Sequence, residues 1–199
     1  MKTQAPSRPT IIALVGLLVT MPAPAFAHSV DKRFGDFYGG MLHPLTALEH
    51  LLPLIGLSLL AGQQGAKQAR WVMLALPVGL LTGAVAGVYG SPHLWIEWIN
   101  RASFLLVGLA VAAAVRLPPQ LLIGISFLLG ISHGYENVAD ITSVVAMRLF
   151  LPGLVCAGLS LVTVVAAITV SRRLSWQRIA VRVVGSWITA IGLLIIASE

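Results

Sequence analysis

Apolar residues run through this chain in long blocks, interrupted by short clusters of charged residues, proline or glycine. Six such blocks fall at 37–61, 71–89, 102–115, 121–134, 144–170 and 180–197. Most have about the length a helix needs to cross a hydrocarbon core of about 30 Å. The blocks at 102–115 and 121–134 are shorter, a difference that tilt or ragged ends would absorb. A lipid-exposed backbone must satisfy its own hydrogen bonds, so each block is predicted to be a helix. The expected fold is all-α, a polytopic membrane bundle of six transmembrane helices forming one domain over residues 28–199.

A different pattern stands ahead of these blocks. Lys2 and Arg8 precede a short apolar run at 11–19, Pro22 and Pro24 interrupt it, and Ala25-Phe26-Ala27 supplies a small-x-small cleavage pattern. That order is the order of a secretory signal peptide, predicted over residues 1–27, with an uncleaved anchor as the alternative. Cleavage after Ala27 would leave His28 as the mature first residue. Its terminal amine and imidazole are two nitrogen donors for a metal; the other reading is an exposed histidine with no role.

Composition agrees with the block pattern. With 57% hydrophobic and 10% charged residues and a mean hydropathy of +0.90, the chain lacks the polar surface that a soluble domain requires. The formal net charge of +6 is spread over short gaps between blocks, so no nucleic-acid partner is expected. Lys67, Arg70, Arg116, Arg172, Arg173, Arg178 and Arg182 all fall on one side of a six-span bundle. The other side has Lys32, Arg33, Arg101 and Arg148, offset by Asp31, Asp36, Glu97, Glu136, Asp140 and Glu199. The positive-inside bias makes the first side cytoplasmic and places both mature termini in the periplasm of a bacterial inner membrane. An exported N-terminus gives the same topology.

Smaller signals narrow the chemistry. The lone Cys156 excludes an internal disulfide and a thiolate metal cage. Gly79, Gly83 and Gly87 recur every four residues, a small-xxx-small stripe that reads as helix packing. His93, with Trp95 and Trp98, reads as an interfacial outer loop, and Arg101 and Arg148 as side chains that snorkel to the interface. No Gly-x-x-x-x-Gly-Lys loop is present, so the chain itself is not expected to hydrolyse ATP.

Ionisable groups within a span cost roughly 2.5–3.5 kcal/mol at mid-helix for Asp, Lys or Arg, and are kept where they face the bundle interior or an aqueous path. The first span carries His43, Glu49 and His50. Seven residues apart, the two histidines lie about 20° from each other around a helix and roughly 10 Å apart along it, while Glu49 points about 100° away from His50. One straight helix cannot close a shell with all three, but Pro44 and Pro53 can kink or open it. The fourth span ends with His133, Glu136 and Asn137, with Asp140 beyond, all on one face if the helix continues. Counted from the outer edge, His43 should lie about 9 Å deep and His133 about 12 Å deep, at similar levels in two antiparallel helices. Imidazole and carboxylate donors suit nickel, cobalt, zinc or iron. The bland alternative is a pair of hydrogen-bonded packing histidines.

At these residues the chain resembles the HupE/UreJ family of hydrogenase and urease accessory membrane proteins. The resemblance covers nearly the whole mature chain. Its most specific part is the pattern His-Pro-x-x-Gly-x-Asp-His, which here reads His43-Pro44-Leu45-Thr46-Ala47-Leu48-Glu49-His50. Ala47 stands for a glycine and Glu49 for an aspartate. Of the family's fourth-span run His-Gly-His-Ala-His-Gly-x-Glu, the chain keeps His133, Gly134 and Glu136, with Leu129 and Ile131 where two histidines would stand. The Gln63-Gln64-Gly65 segment also resembles the family.

The resemblance implies a nickel permease rather than an enzyme, with a divalent metal as substrate and no tightly bound cofactor. The expected metal set is His43, Glu49, His50, His133, Glu136 and His28. Expected partners are the lipid bilayer, the metal ion and metalloenzyme-maturation machinery, with a homo-oligomer left open. A membrane accessory protein that binds metal for delivery without transporting it is the alternative. A haem protein with histidine axial ligands is a third reading. A zinc hydrolase is disfavoured because no His-Glu-x-x-His is present.

Overall fold

The computed structural model describes residues 35–90, 94–138 and 144–198. The expected signal peptide and His28 lie outside the described residues, as do His93 and Asp140. The described residues form helices only: α1 (Asp36–Thr46), α2 (Leu48–Gln64), α3 (Ala66–Tyr89), α4 (Leu94–Ala112), α5 (Pro119–Glu136), α6 (Val144–Val170) and α7 (Ser175–Ala197).

Four segments, α3, α4, residues Met147–Val170 of α6, and α7, are long and apolar enough to cross a membrane. The pair α1 and α2 qualifies as a fifth span, bent by 74° at its break. The 18-residue α5 falls short on composition, because Gln120, His133, Tyr135 and Glu136 crowd its ends. Outward-facing Leu74, Val78, Leu81 and Val85 on α3, Leu106 and Leu109 on α4, and Val183, Trp187 and Leu194 on α7 are exposed. Surfaces of this kind are solvated by lipid and not by water. Trp71 and Trp176 are exposed near one end of the bundle and Tyr38, Tyr89, Trp95 and Trp98 near the other, the disposition of interfacial aromatic belts. This is a multi-pass membrane protein.

The first apolar block is broken, at neither proline. Pro44 lies within α1 and Pro53 within α2. The break is Ala47, extended at φ −86° and ψ 110°. Its N–H closes α1 on the His43 carbonyl at 3.1 Å, and its own carbonyl opens α2 by accepting from Leu51 N–H at 2.9 Å. Those angles suit any L-residue, which is why alanine serves where the family pattern has glycine. The block at 102–115 is also longer than expected. Helix α4 begins at Leu94, so Trp95, Glu97, Trp98 and Arg101 are helical and not part of an outer loop.

Helix α2 sits at the centre and touches every other described helix. Its Leu54, Leu57, Leu60 and Ala61 are buried with Leu80, Val107, Val111, Leu122 and Val162 of the surrounding helices. At its far end, Gln64 donates to the Val115 carbonyl at 2.7 Å and accepts from Leu117 N–H at 3.2 Å. Gln63 donates to the Val111 carbonyl at 3.1 Å. The Gln63-Gln64 pair thus ties the end of α2 to the frayed end of α4, satisfying carbonyls that a helix terminus leaves open.

The glycine stripe packs α3 on α5. A Cβ on Gly79, Gly83 or Gly87 would meet the backbone of Phe127, Ile131 or Tyr135, and one on Gly130 or Gly134 would meet that of Leu76 or Leu80. Similar contacts join α1 to α6 through Gly40 and Gly153, and α4 to α7 through Gly108 and Gly185. These interfaces are backbone against backbone, so a side chain has nowhere to go. Gly83→Ala should therefore lower stability by about 1–3 kcal/mol through overpacking. Gly124→Ala, a position with nothing within 4 Å of the added carbon, should leave stability unchanged or raise it by up to about 1 kcal/mol. Thermal unfolding of the two variants in detergent checks this ordering.

Candidate metal site

Three helices bring polar side chains together at the end of the bundle where α2 begins and α5 finishes. On α5, Gly130 and Gly134 face α3. His133 stands one residue from Gly134, about 100° around the helix, and so turns towards α2 and α4. On α2, His50 is in the first turn after the Ala47 break. Both imidazoles are buried, His50 at 3% and His133 at 0% exposure. Their Nδ1 atoms stand 3.0 Å apart, with ring planes 85° from each other.

The hydrogen bonds around His133 assign its tautomer. The Ser103 hydroxyl, from α4, donates to the Asn100 carbonyl at 2.5 Å, which commits its one proton. Ser103 Oγ also lies 3.2 Å from His133 Nε2, so there it must accept, and His133 carries its proton on Nε2. The Nδ1 atom then holds a lone pair directed at His50. An outer hydroxyl or carbonyl that holds one ring nitrogen and frees the other is the usual support of a ligating histidine. Two nitrogens bound to one metal at about 2.0–2.1 Å stand roughly 3.0–3.4 Å apart. The observed 3.0 Å spacing therefore serves an N–H···N hydrogen bond or a shared cation without moving either helix.

A carboxylate completes the group. Ligand atoms of His50, His133 and Glu136 all lie within 4.8 Å of one another. The Asn100 amide donates to Glu136 Oε2 and, at 3.2 Å, to the Ser132 carbonyl. Its own Oδ1 is buried without a hydrogen-bond partner, as is Asn137 Oδ1. Two imidazoles and a carboxylate are a donor set that fits a borderline divalent cation. A cleft of about 80 Å³ leads to this group, lined by Glu49, Glu97, Asn100, Arg101 and Glu136 among others. Its three carboxylates are balanced by one arginine, which pairs with Glu97 and lies 5.3 Å from the centre of the Trp98 ring.

Of the residues expected from the sequence, the structure joins His50, His133 and Glu136. His43 sits beside them, its ring centre 5.9 Å from that of His50 and 6.0 Å from that of Phe150. Glu49 is exposed at the cleft and does not reach the histidine pair's cluster. Helix α5 ends at Glu136, so Asn137 acts as its cap, donating to the His133 carbonyl at 2.6 Å from Nδ2, and does not extend the face. Asn100 and Ser103 were missed. They lie at i and i+3 in an apolar helix, a polar pair whose shared face shows only when the helix extends back through Glu97 and Arg101. Arg101 lines the cleft and pairs with Glu97, so its role is not simple snorkelling.

Comparison with known proteins supports the family resemblance. A profile described as HupE / UreJ protein matches residues 16–195. The protein named Protein HupE from Rhizobium leguminosarum bv. viciae is 24% identical over 121 residues, covering 60% of this chain. The match spans 63% of that relative, a little under two thirds of its length. No solved structure matches the chain. Since the profile covers nearly all of its residues, the chain belongs to the HupE/UreJ family.

Proposed function

We propose that this protein is a permease for a divalent transition-metal cation, nickel foremost, that serves hydrogenase or urease maturation. In this reading the broken α1–α2 pair counts as one crossing and α3 to α7 as five more, giving six. The arginine-bearing end is cytoplasmic by the positive-inside bias, so the histidine cluster lies towards the periplasm. The observation that carries the reading is the convergence of His50, His133 and Glu136 within 4.8 Å, with both imidazoles buried and the carboxylate half-buried.

A hydrated cation would enter the cleft lined by Glu49, Glu97 and Glu136, where carboxylates offset the loss of water. It would then take the Nδ1 atoms of His50 and His133 as ligands, with Glu136 turning from Asn100 to supply an oxygen. His43 stands close enough to receive or replace a ligand during passage. The Ala47 break is the natural hinge, since its backbone angles are the only interruption between α1 and α2 and His50 is three residues away. Onward movement requires a rearrangement, because Leu54, Leu57 and Leu60 lie buried on α2 beyond His50. That apolar stretch favours, as a second reading, a protein that holds metal for delivery and does not move it across.

Metal analysis tests the site. Nickel added to purified protein should bind at about one ion per chain. His50→Ala and His133→Ala should abolish stoichiometric binding, whereas Ser103→Ala should weaken it by about 10–100-fold as a support of His133. Full nickel content in both histidine variants would end the metal reading. Nickel entry into proteoliposomes then separates the two functions. A permease should fill vesicles carrying a trapped nickel-sensitive dye, and the Glu49→Ala variant should slow filling more than it lowers bound metal. Stoichiometric binding with no entry would leave delivery as the function.

A further inference from the structure

The end of the bundle away from the histidines has the opposite chemistry. A cavity of about 330 Å³ opens there between the end of α2, the α4–α5 loop, the end of α6 and the start of α7. Among the described residues, four guanidinium groups, those of Arg116, Arg172, Arg178 and Arg182, line it and no carboxylate does. The segments at 62–70, 113–118 and 171–182 contain no Asp or Glu at all. A topological bias accounts for arginines in these loops but not for four of them sharing one hollow.

Their hydrogen bonds hold them in place without neutralising them. Arg116 Nη1 donates to the Gln63 carbonyl at 2.6 Å, Arg182 Nε to the Ala112 carbonyl at 2.7 Å, and Arg172 Nη2 to Thr169 Oγ1 at 3.0 Å. Each bond uses one of five N–H donors on its guanidinium, so most of the fork stays available for an anion. Partial burial lowers the pKa of Arg172 from its ordinary value. Planar, bidentate donors of this kind suit phosphate oxygens.

A second feature says which phosphate. An apolar groove of about 260 Å³ adjoins the cavity and shares Arg172 and Val181 with it. Leu59, Trp176, Gln177, Ala180 and Val184 line the rest. From Trp176 to Val184 it follows α7 for about 12 Å into the apolar zone. A soluble phosphate would use the arginines and leave the groove empty, and a zwitterionic phospholipid would carry a cationic headgroup nitrogen into a hollow lined by four guanidinium groups. A phospholipid with a net negative headgroup uses both.

We propose that the arginine-lined cavity is a headgroup site for an anionic phospholipid, its phosphate held among the arginines and an acyl chain lying in the groove along α7. Such a lipid would bridge α2, α4, α6 and α7 at one point, and so brace the helix whose other end carries His50. The proposal is independent of the metal reading.

The test uses delipidated full-length protein in an uncharged detergent, with thermal unfolding and native mass spectrometry as readouts. Phosphatidylglycerol should raise the unfolding temperature by several degrees and remain as a single adduct, whereas phosphatidylcholine should do neither. The Arg172→Gln, Arg178→Gln double variant should lose the phosphatidylglycerol effect. A control with Lys67→Gln and Arg173→Gln removes the same charge from the same end but outside the cavity, and should retain it. If the double variant does not fold, Arg178→Gln alone carries the comparison. Equal effects of the two lipids would overturn the proposal. So would loss of the effect in the control pair, or an equal shift from inorganic phosphate alone.

Discussion

Lipid tails are as apolar as leucine side chains, so helices in a bilayer gain little from burying leucine against leucine and depend on close packing instead. In this protein the tightest packing is backbone against backbone, across glycine pairs that join α3 to α5, α1 to α6 and α4 to α7. The α3–α5 contact has the largest consequence. With Gly130 and Gly134 pressed on α3, the rotation of α5 about its axis is set, and His133 between them in the helical register must turn inward. A bulkier residue at either glycine would move that imidazole away from His50 as it moved the helix.

The break at Ala47 performs the complementary task on the other helix. In one continuous helix His43 and His50 would be separated by two turns, roughly 10 Å. The 74° bend brings their ring centres to 5.9 Å while leaving His50 at the start of α2, where it faces α5. Two devices that cost no polar chemistry, a glycine face and one extended residue, thus assemble the polar site. The site itself then depends on α4, whose Asn100 and Ser103 orient Glu136 and His133 by hydrogen bonds.

Charge is divided along the long axis of the bundle. His50 and Gln63 are thirteen residues apart on α2, so the acidic and imidazole end is about 20 Å from the arginine end, with apolar side chains between. Each end can therefore hold an ion of the sign opposite to that of its own side chains.

The helical class, the membrane setting, the glycine stripe and the candidate histidines follow from the order of residues alone. Each rests on local rules: hydropathy over a span's length, spacing on a helix, the cost of an imidazole in lipid. Three things needed the folded chain. Helix α4 begins eight residues earlier than its apolar block, and Glu97 and Arg101 pair with each other one turn apart within that extension. The break falls at Ala47 and neither proline marks it, because extended angles at an ordinary residue leave no trace in composition. His50, not His43, meets His133, because which residue of a helix faces a neighbour is decided by the rotation and tilt of both helices. Those quantities come from packing between segments distant in sequence, on which the residues of any one segment carry no information.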